Sequence, residues 1–329
     1  MNFLIRSAAC VAALLLATPV FAQQVIKIAT VAPDGSAWMR ELRAAAAEVA
    51  AGTQNRVTIK YYPGGVMGSD TVVLRKIRLG QLQGGVLTSS ELAQLYPDAA
   101  VYSLPFLFDD WAQVAKARTV VDPILARGFQ AKGMTMLAAS DVGFAYVLST
   151  RPLKSAKDMG SAKLWIPQND EIAERTFKAG GVSPILLPLG DVFTSLQTGM
   201  VDTVANTPSG AVALQWHGKL RHMIDLPLSF VVGFVVVDNK AFAKISPADQ
   251  AVLLKAFRAS ARRVDASTRR DDDAALAAMK KQGLKVAQMD PAEAARWKAI
   301  GAKVTREMEA AGRVTPNIVT AIRKSNAGK

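Results

Sequence analysis

The chain has 329 residues, of which 50% are hydrophobic, 7% aromatic and 20% charged, with a formal net charge of +13. That composition describes a folded chain rather than a disordered, collagenous or polytopic membrane one, and the length suits two domains. One cysteine and two histidines exclude any site built from several thiolate or imidazole ligands.

The chain starts like an export signal. A short basic start ends at Arg6, residues 7–16 are apolar, and Val20-Phe21-Ala22 puts small residues where a signal peptidase reads. Cleavage is expected after Ala22, releasing a chain that begins at Gln23 in the periplasm. The apolar run falls short of the roughly 20 residues that span a bilayer, so it does not read as a retained anchor. Loss of Arg6 and Cys10 leaves a net charge of +12 and no cysteine, so stability must come from the core and not from disulfides. Export and dispersed positive charge argue against nucleic acid as a partner. Arg262-Arg263 and Arg269-Arg270, interleaved with Asp265 and Asp271-Asp272-Asp273, read as a solvated helix face of mixed sign.

From Gln24 to Thr30 apolar and polar residues alternate as in a strand. Pro33-Asp34-Gly35-Ser36 breaks the pattern, and Ser36 can cap a helix over 37–51. A strand over 56–62 ends at Pro63-Gly64-Gly65, Ser69 or Asp70 caps a helix to about Leu79, and 84–87 is a third strand. This βα repeat predicts a parallel sheet covered by helices. Residues 135–150 are strand-like for longer than the usual 5 to 6 residues or so, and 229–237 is a second extended segment. Two such crossings around 151–228 suggest an inserted domain. The expected division is 23–148 with 230–245 as one α/β domain and 149–229 as the inserted one. Ser246-Pro247-Ala248-Asp249 opens a helix with no breaker before Gly283, about 50 Å long and able to brace both domains from 246 onward. Asp290-Pro291-Ala292-Glu293 opens a last helical region ending near Gly312, and 324–329 reads as a biased tail.

No G-x-G-x-x-G, Walker or G-x-S-x-G motif occurs in the chain. His217 and His222, five apart, do not share a helix face as a metal pair would. Nothing among the 27 acidic residues has a distinguishing catalytic spacing, so no enzyme and no cofactor is expected.

An exported two-domain α/β chain without catalytic motifs suggests a receptor that closes on a solute, and ordered motifs sharpen that reading. Tyr62-Pro63 through Gly68-Ser69-Asp70 resembles Y-P-x-x-Q-L-G-x-D of the dicarboxylate-type (DctP-like) solute-binding proteins of TRAP transporters. Leu79-Gly80-Gln81-Leu82, Tyr96-Pro97, Ser103-Leu104-Pro105-Phe106, Arg151-Pro152-Leu153-Lys154, Asp158-Met159-Gly160 and Leu196-Gln197-Thr198-Gly199 continue the resemblance in order. It implies a two-domain periplasmic solute-binding fold with hinge crossings, a small organic ligand, and a small and a large membrane permease subunit as partners. It also implies a monomer without stable membrane insertion.

The family's K-I-R-V-P strand carries an arginine that grips the ligand carboxylate with a planar fork. Here the strand reads Lys163-Leu164-Trp165-Ile166-Pro167, with Trp165 in the arginine's place. Phe144 and Ala145 stand where some members carry a second arginine, Thr88 precedes Ser89-Ser90 where some carry an acid, and E-N-P survives as Ala205-Asn206-Thr207-Pro208. One reading makes Trp165 a stacking wall in a pocket of low charge, with an aromatic, neutral or weakly charged ligand. The other makes it a volume filler while Arg175 or Lys178 holds a carboxylate. Asn206, Thr88, Ser89 and Phe144 are candidate contacts by position. Trp38, Phe193 and Trp216 divide between contact and core, and Gln168 between contact and solvent. A sensory receptor for a histidine kinase and an exported enzyme using the cleft remain alternatives.

Overall fold

The computed structural model describes residues 23–153 and 156–327; the signal segment with its cleavage point lies outside them. Ser36 caps as expected: its hydroxyl accepts the Met39 N–H at 3.2 Å and starts α1 (Ala37–Gly52). Met39, Leu42, Ala45 and Val49 recur at helical spacing and form the buried stripe of α1. Strands β1 (Gln24–Thr30), β2 (Val57–Tyr62) and β3 (Gly84–Thr88) pair in parallel, with α2 (Asp70–Arg78) crossing between the last two. Beyond β3 come the short α3 (Ser89–Leu92) and the long α4 (Trp111–Ala131), which runs through Pro123.

The extended segment is β4 (Met134–Ser149), and it serves two sheets. Through Ala145 it pairs antiparallel with β9 (Ser229–Asp238), which also pairs antiparallel with β3 and so closes the first sheet. From Tyr146 onward it pairs with β7 (Thr203–Asn206), opening a second sheet that continues to β5 (Leu164–Pro167) and β6 (Ile185–Leu187). The short β8 (His222–Ile224) pairs with β4 there and carries β10 (Lys285–Ala287) on its other edge. The register of β4 slips between Asp141 and Gly143, where Gly143 has φ of 129°. A Cβ at that position would meet Asp272 Oδ2 at 3.0 Å, so both the backbone angle and the close approach call for glycine.

Helices between the strands are α5 (Ala156–Gly160), α6 (Glu171–Ala179), α7 (Val192–Thr198), α8 (Pro208–Ala213) and α9 (Asn239–Phe242). The bracing helix is α10 (Pro247–Lys281), 35 residues long and capped by the Ser246 hydroxyl at the Asp249 N–H. Its Leu253, Ala256 and Phe257 pack with Ile26, Ile28 and Met39 under the first sheet, and its Met279 packs with Trp165 and Trp216 under the second. α11 (Pro291–Ala310) also spans: Trp297 meets Phe177 edge to face in the second half, while Val304 and Met308 enter the first.

Two expectations need correction. The chain past Gly312 forms a further helix, α12 (Pro316–Ala327), whose Ile318, Val319 and Ile322 pack against Val121 and Leu125 of α4, so residues 324–327 belong to it and not to a loose tail. The acids of α10 are also not a solvated face throughout. Asp265 accepts the Asp141 N–H at 2.8 Å and pairs with Arg118 at 2.7 Å, and the buried Asp272 accepts the Ser209 N–H at 2.9 Å. Turned inward, they fasten the long helix to the strand slip and to the start of α8.

Candidate ligand-binding cleft

In parallel sheets, strand carboxyl ends and the helix starts that follow them converge on one edge, where ligands bind. The ends of β1, β3 and β5 do so here and enclose a cavity of about 350 Å³. Thr30 to Pro33, Trp38, Thr88 to Ser90 and Val231 to Gly233 line it from the first sheet, and Trp165 to Pro167, Asp170, Thr176 and Asn206 from the second. α10 adds Val264, Ser267, Thr268 and Asp271.

Trp38 reaches the cavity because Gly233 has no side chain: a Cβ there would meet the indole at 2.6 Å. Trp165 alternates with Leu164 and Ile166 along β5, which turn to the opposite core. Its indole N–H donates to the Leu187 carbonyl at 2.9 Å, and its ring stands edge to face with Trp216 at 5.2 Å. At 1% exposure it borders the cavity as a packed core side chain and offers it no hydrogen bond. Thr88 donates both its N–H and its hydroxyl to Asp70 Oδ2 at 3.1 Å, and Ser89 donates its hydroxyl to the Val232 carbonyl at 3.1 Å. Asn206 Oδ1 accepts the Thr207 N–H at 2.8 Å, which leaves the amide N–H groups for a ligand.

Five of the residues singled out from sequence thus meet at the cavity: Trp38, Thr88, Ser89, Trp165 and Asn206. Four stand off its lining. Phe144 packs between Trp111 and Phe230 in the first core, Trp216 lies buried behind Trp165, and Phe193 and Gln168 are exposed. Sequence reasoning passed over Ser90, Asp170 and Asp271. Asp170 carried a usable signal, since Pro167-Gln168-Asn169-Asp170 is a strand end followed by a capping acid, and such a cap sits at the cleft edge.

The lining holds Glu41, Asp170 and Asp271 but no lysine, arginine or histidine. Glu41 is neutralised by Arg263 at 2.6 Å. Arg175 and Lys178 pair with Glu171 and Glu174 on the outer side of α6, and neither lines the cavity. Helix starts attract anions through their free N–H groups, yet three near the cavity are already met by carboxylates of the chain. Asp70 takes the Thr88 N–H at α3, Asp170 takes the Ala173 N–H of α6 at 2.9 Å, and Asp272 takes the Ser209 N–H at α8. Burial pushes the carboxyl groups of Asp70, Asp170 and Asp272 up to about 6, against those hydrogen bonds.

The two sides of the cleft also touch directly. Asn169 Nδ2, just before α6, donates to Glu91 Oε2 at 3.0 Å and to Thr71 Oγ1 at 2.9 Å. Among the described residues no group of three or more His, Cys, Asp or Glu is placed to hold a metal ion, and no helix is long and apolar enough to cross a membrane.

Residues 28–311 match the family model of bacterial extracellular solute-binding proteins, family 7 (DctP). The chain is 28% identical over 282 residues to the C4-dicarboxylate-binding periplasmic protein DctP of Rhodobacter capsulatus, covering 84% of this chain and 83% of that one. Its fold is similar to that of the sugar acid binding protein DctPAm from Advenella mimigardefordensis in complex with galactonate. There the TM-score is 0.84 and the identity 23%, over 92% of this chain and 99% of that one. A TRAP periplasmic solute binding protein from Desulfovibrio salexigens with bound orotic acid gives a TM-score of 0.84 at 20% identity, over 93% and 98%.

Proposed function

The chain belongs to family 7 of the bacterial extracellular solute-binding proteins, and from that membership we propose that it is the periplasmic receptor of a TRAP-type transporter whose solute is aromatic, neutral or weakly charged. One observation carries the ligand reading: no residue lining the cavity bears a positive charge, and Trp165 stands where the family's carboxylate-binding arginine is expected. An anion drawn out of water needs a cation or several free N–H groups. Asp70, Asp170 and Asp272 each take one of these N–H groups at three of the helix starts around the cavity, and the start of α1 is capped by the Ser36 hydroxyl. Apolar walls with a few polar groups suit a ring or a short neutral chain instead. The relatives bind C4-dicarboxylates, galactonate and orotic acid, so this receptor departs from them in ligand class while keeping their fold.

In this reading residues 1–22 are removed on export and the mature chain works in the periplasm. Residues 23–148 with 230–245 form one domain and 149–229 the other, closing on the solute about β4 and β9. The closed form is favoured by its differential contacts with ligand, and it hands the solute to the small and large permease subunits. Membership of a solute-binding family supports a binding role over a catalytic one. A thermal-shift screen of the mature chain against organic acids, neutral aromatics and amines tests the reading. A ligand at 100 times its dissociation constant stabilises the fold by about 2.7 kcal/mol, and a library in which only organic acids shift the melting point would overturn it.

A further inference from the structure

Resting on that low-charge reading of the cleft, we propose that the solute carries a positively charged amine, received by Asp170, while its apolar body lies against Trp38 and Trp165. Asp170 differs from the other acids around the cavity. One oxygen, Oδ1, caps α6 through the Ala173 N–H, and no lysine, arginine or histidine pairs with the carboxylate among the described residues. The side chain is half-buried and lines the cavity, so a counter-charge can reach it from there. Asp271, on the α10 side, adds a second unpaired carboxylate, its Oδ2 accepting only the Ser267 hydroxyl at 3.0 Å.

The charges behind the lining have the same sign. Asp70 Oδ1 and Glu91 Oε1 are buried without a hydrogen-bond partner, while the second oxygen of each accepts from Thr88 and from Thr71 and Asn169, respectively. A chain of net charge +13 thus sets carboxylates without a cationic partner around one cavity, Asp271 among them on its exposed rim. Burial of an acid without a partner is unfavourable, and such groups persist where a ligand completes them. An ammonium group supplies both the charge and three donors. The exposed indole face of Trp38 suits its alkyl or aromatic remainder, and a cation above it.

Calorimetry on the mature chain at pH 7.5 with three probes sharing one ring separates the possibilities: 2-phenylethylamine, 2-phenylethanol and phenylacetate. The amine is expected to bind at least about tenfold tighter than the alcohol, a difference of about 1.4 kcal/mol, with phenylacetate weakest. Asp170→Asn keeps a capping side chain, since asparagine caps as well as aspartate, and its melting point reports on folding. In that variant the amine should lose roughly tenfold or more in affinity, and the alcohol should change less than about twofold. Equal affinity of amine and alcohol, no binding of the amine at millimolar concentration, or an unchanged amine affinity in Asp170→Asn would each overturn the amine assignment. If the alcohol binds in those cases, the low-charge cleft survives; if phenylacetate binds tightest, both readings fall.

Discussion

The indole N–H of Trp165 donates to the carbonyl of Leu187 at 2.9 Å, joining β5 to β6 through a side chain rather than aiming a donor at the cavity. Trp165 is therefore part of the core of the second sheet as well as a wall of the cleft. Trp165→Phe keeps the ring surface but leaves the Leu187 carbonyl unpaired, and should cost about 1 to 3 kcal/mol of stability. Trp165→Ala also opens a void beside Trp216 and should cost about 3 to 5 kcal/mol. Trp165→Arg should not restore a carboxylate clamp, because the guanidinium would be buried against Trp216 without a partner. Urea denaturation of the three variants checks the order, and a fully stable arginine variant would contradict this placement.

Gly143 marks a slip in β4 within its pairing to β9, just before the strand passes to the second sheet at Tyr146. Gly143→Ala forces a side chain into a strained backbone angle and against Asp272 Oδ2. The expected loss is about 1 to 3 kcal/mol, read from the denaturation midpoint. A midpoint unchanged from the parent protein would show that the strand accommodates a Cβ there.

Asn169 bridges the cleft to Glu91 and Thr71. Asn169→Ala removes these hydrogen bonds, one of them to a carboxylate, and should weaken the closed form by about 1 to 2 kcal/mol. Small-angle scattering of the ligand-free variant should give a larger radius of gyration than the parent. Identical curves would mean that this contact does not hold the two sides together.

The raised carboxyl groups set a direction for pH dependence. Asp70, Asp170 and Asp272 hold their protons up to about 6 when folded and to about 3.9 when unfolded, so the folded state binds more protons between those values. Their contribution is present in full below the unfolded value and is lost as pH rises through about 6. The melting point should therefore rise as pH is lowered from 7.5 to 5. Asp249 and Glu293, held below the ordinary carboxylate range by hydrogen bonds from Arg56 and Arg296, act in the opposite sense at lower pH. Scanning calorimetry across this range tests the sign, and replacing the three raised aspartates by asparagine should flatten the profile.

Much of the fold was legible because its signals are local. Ser36, Ser246 and Asp290 cap the helices they precede, and the uninterrupted run after Pro247 gave the bracing helix its length. The helix α4 was hidden by Pro123, which reads as a breaker but is held inside the helix by the packing of Val121 and Leu125. The inward acids were hidden for a different reason. Asp265 and Asp272 sit among arginines and aspartates in sequence, and only the fold brings Arg118, Asp141 and Ser209 to meet them. The cleft was read through Trp165, Asn206 and Thr88-Ser89, while Phe144 and Trp216, taken from position or residue type, belong to the cores behind.

The central claim is that the cleft offers a solute carboxylate no cation, with the chain's own carboxylates met at the starts of α3, α6 and α8. Orotate and uracil isolate that claim, since they share a pyrimidine ring and differ in the carboxylate. Calorimetry of the mature chain at pH 7.5 should show uracil bound at least about tenfold more tightly than orotate. Orotate binding more tightly than uracil would contradict it.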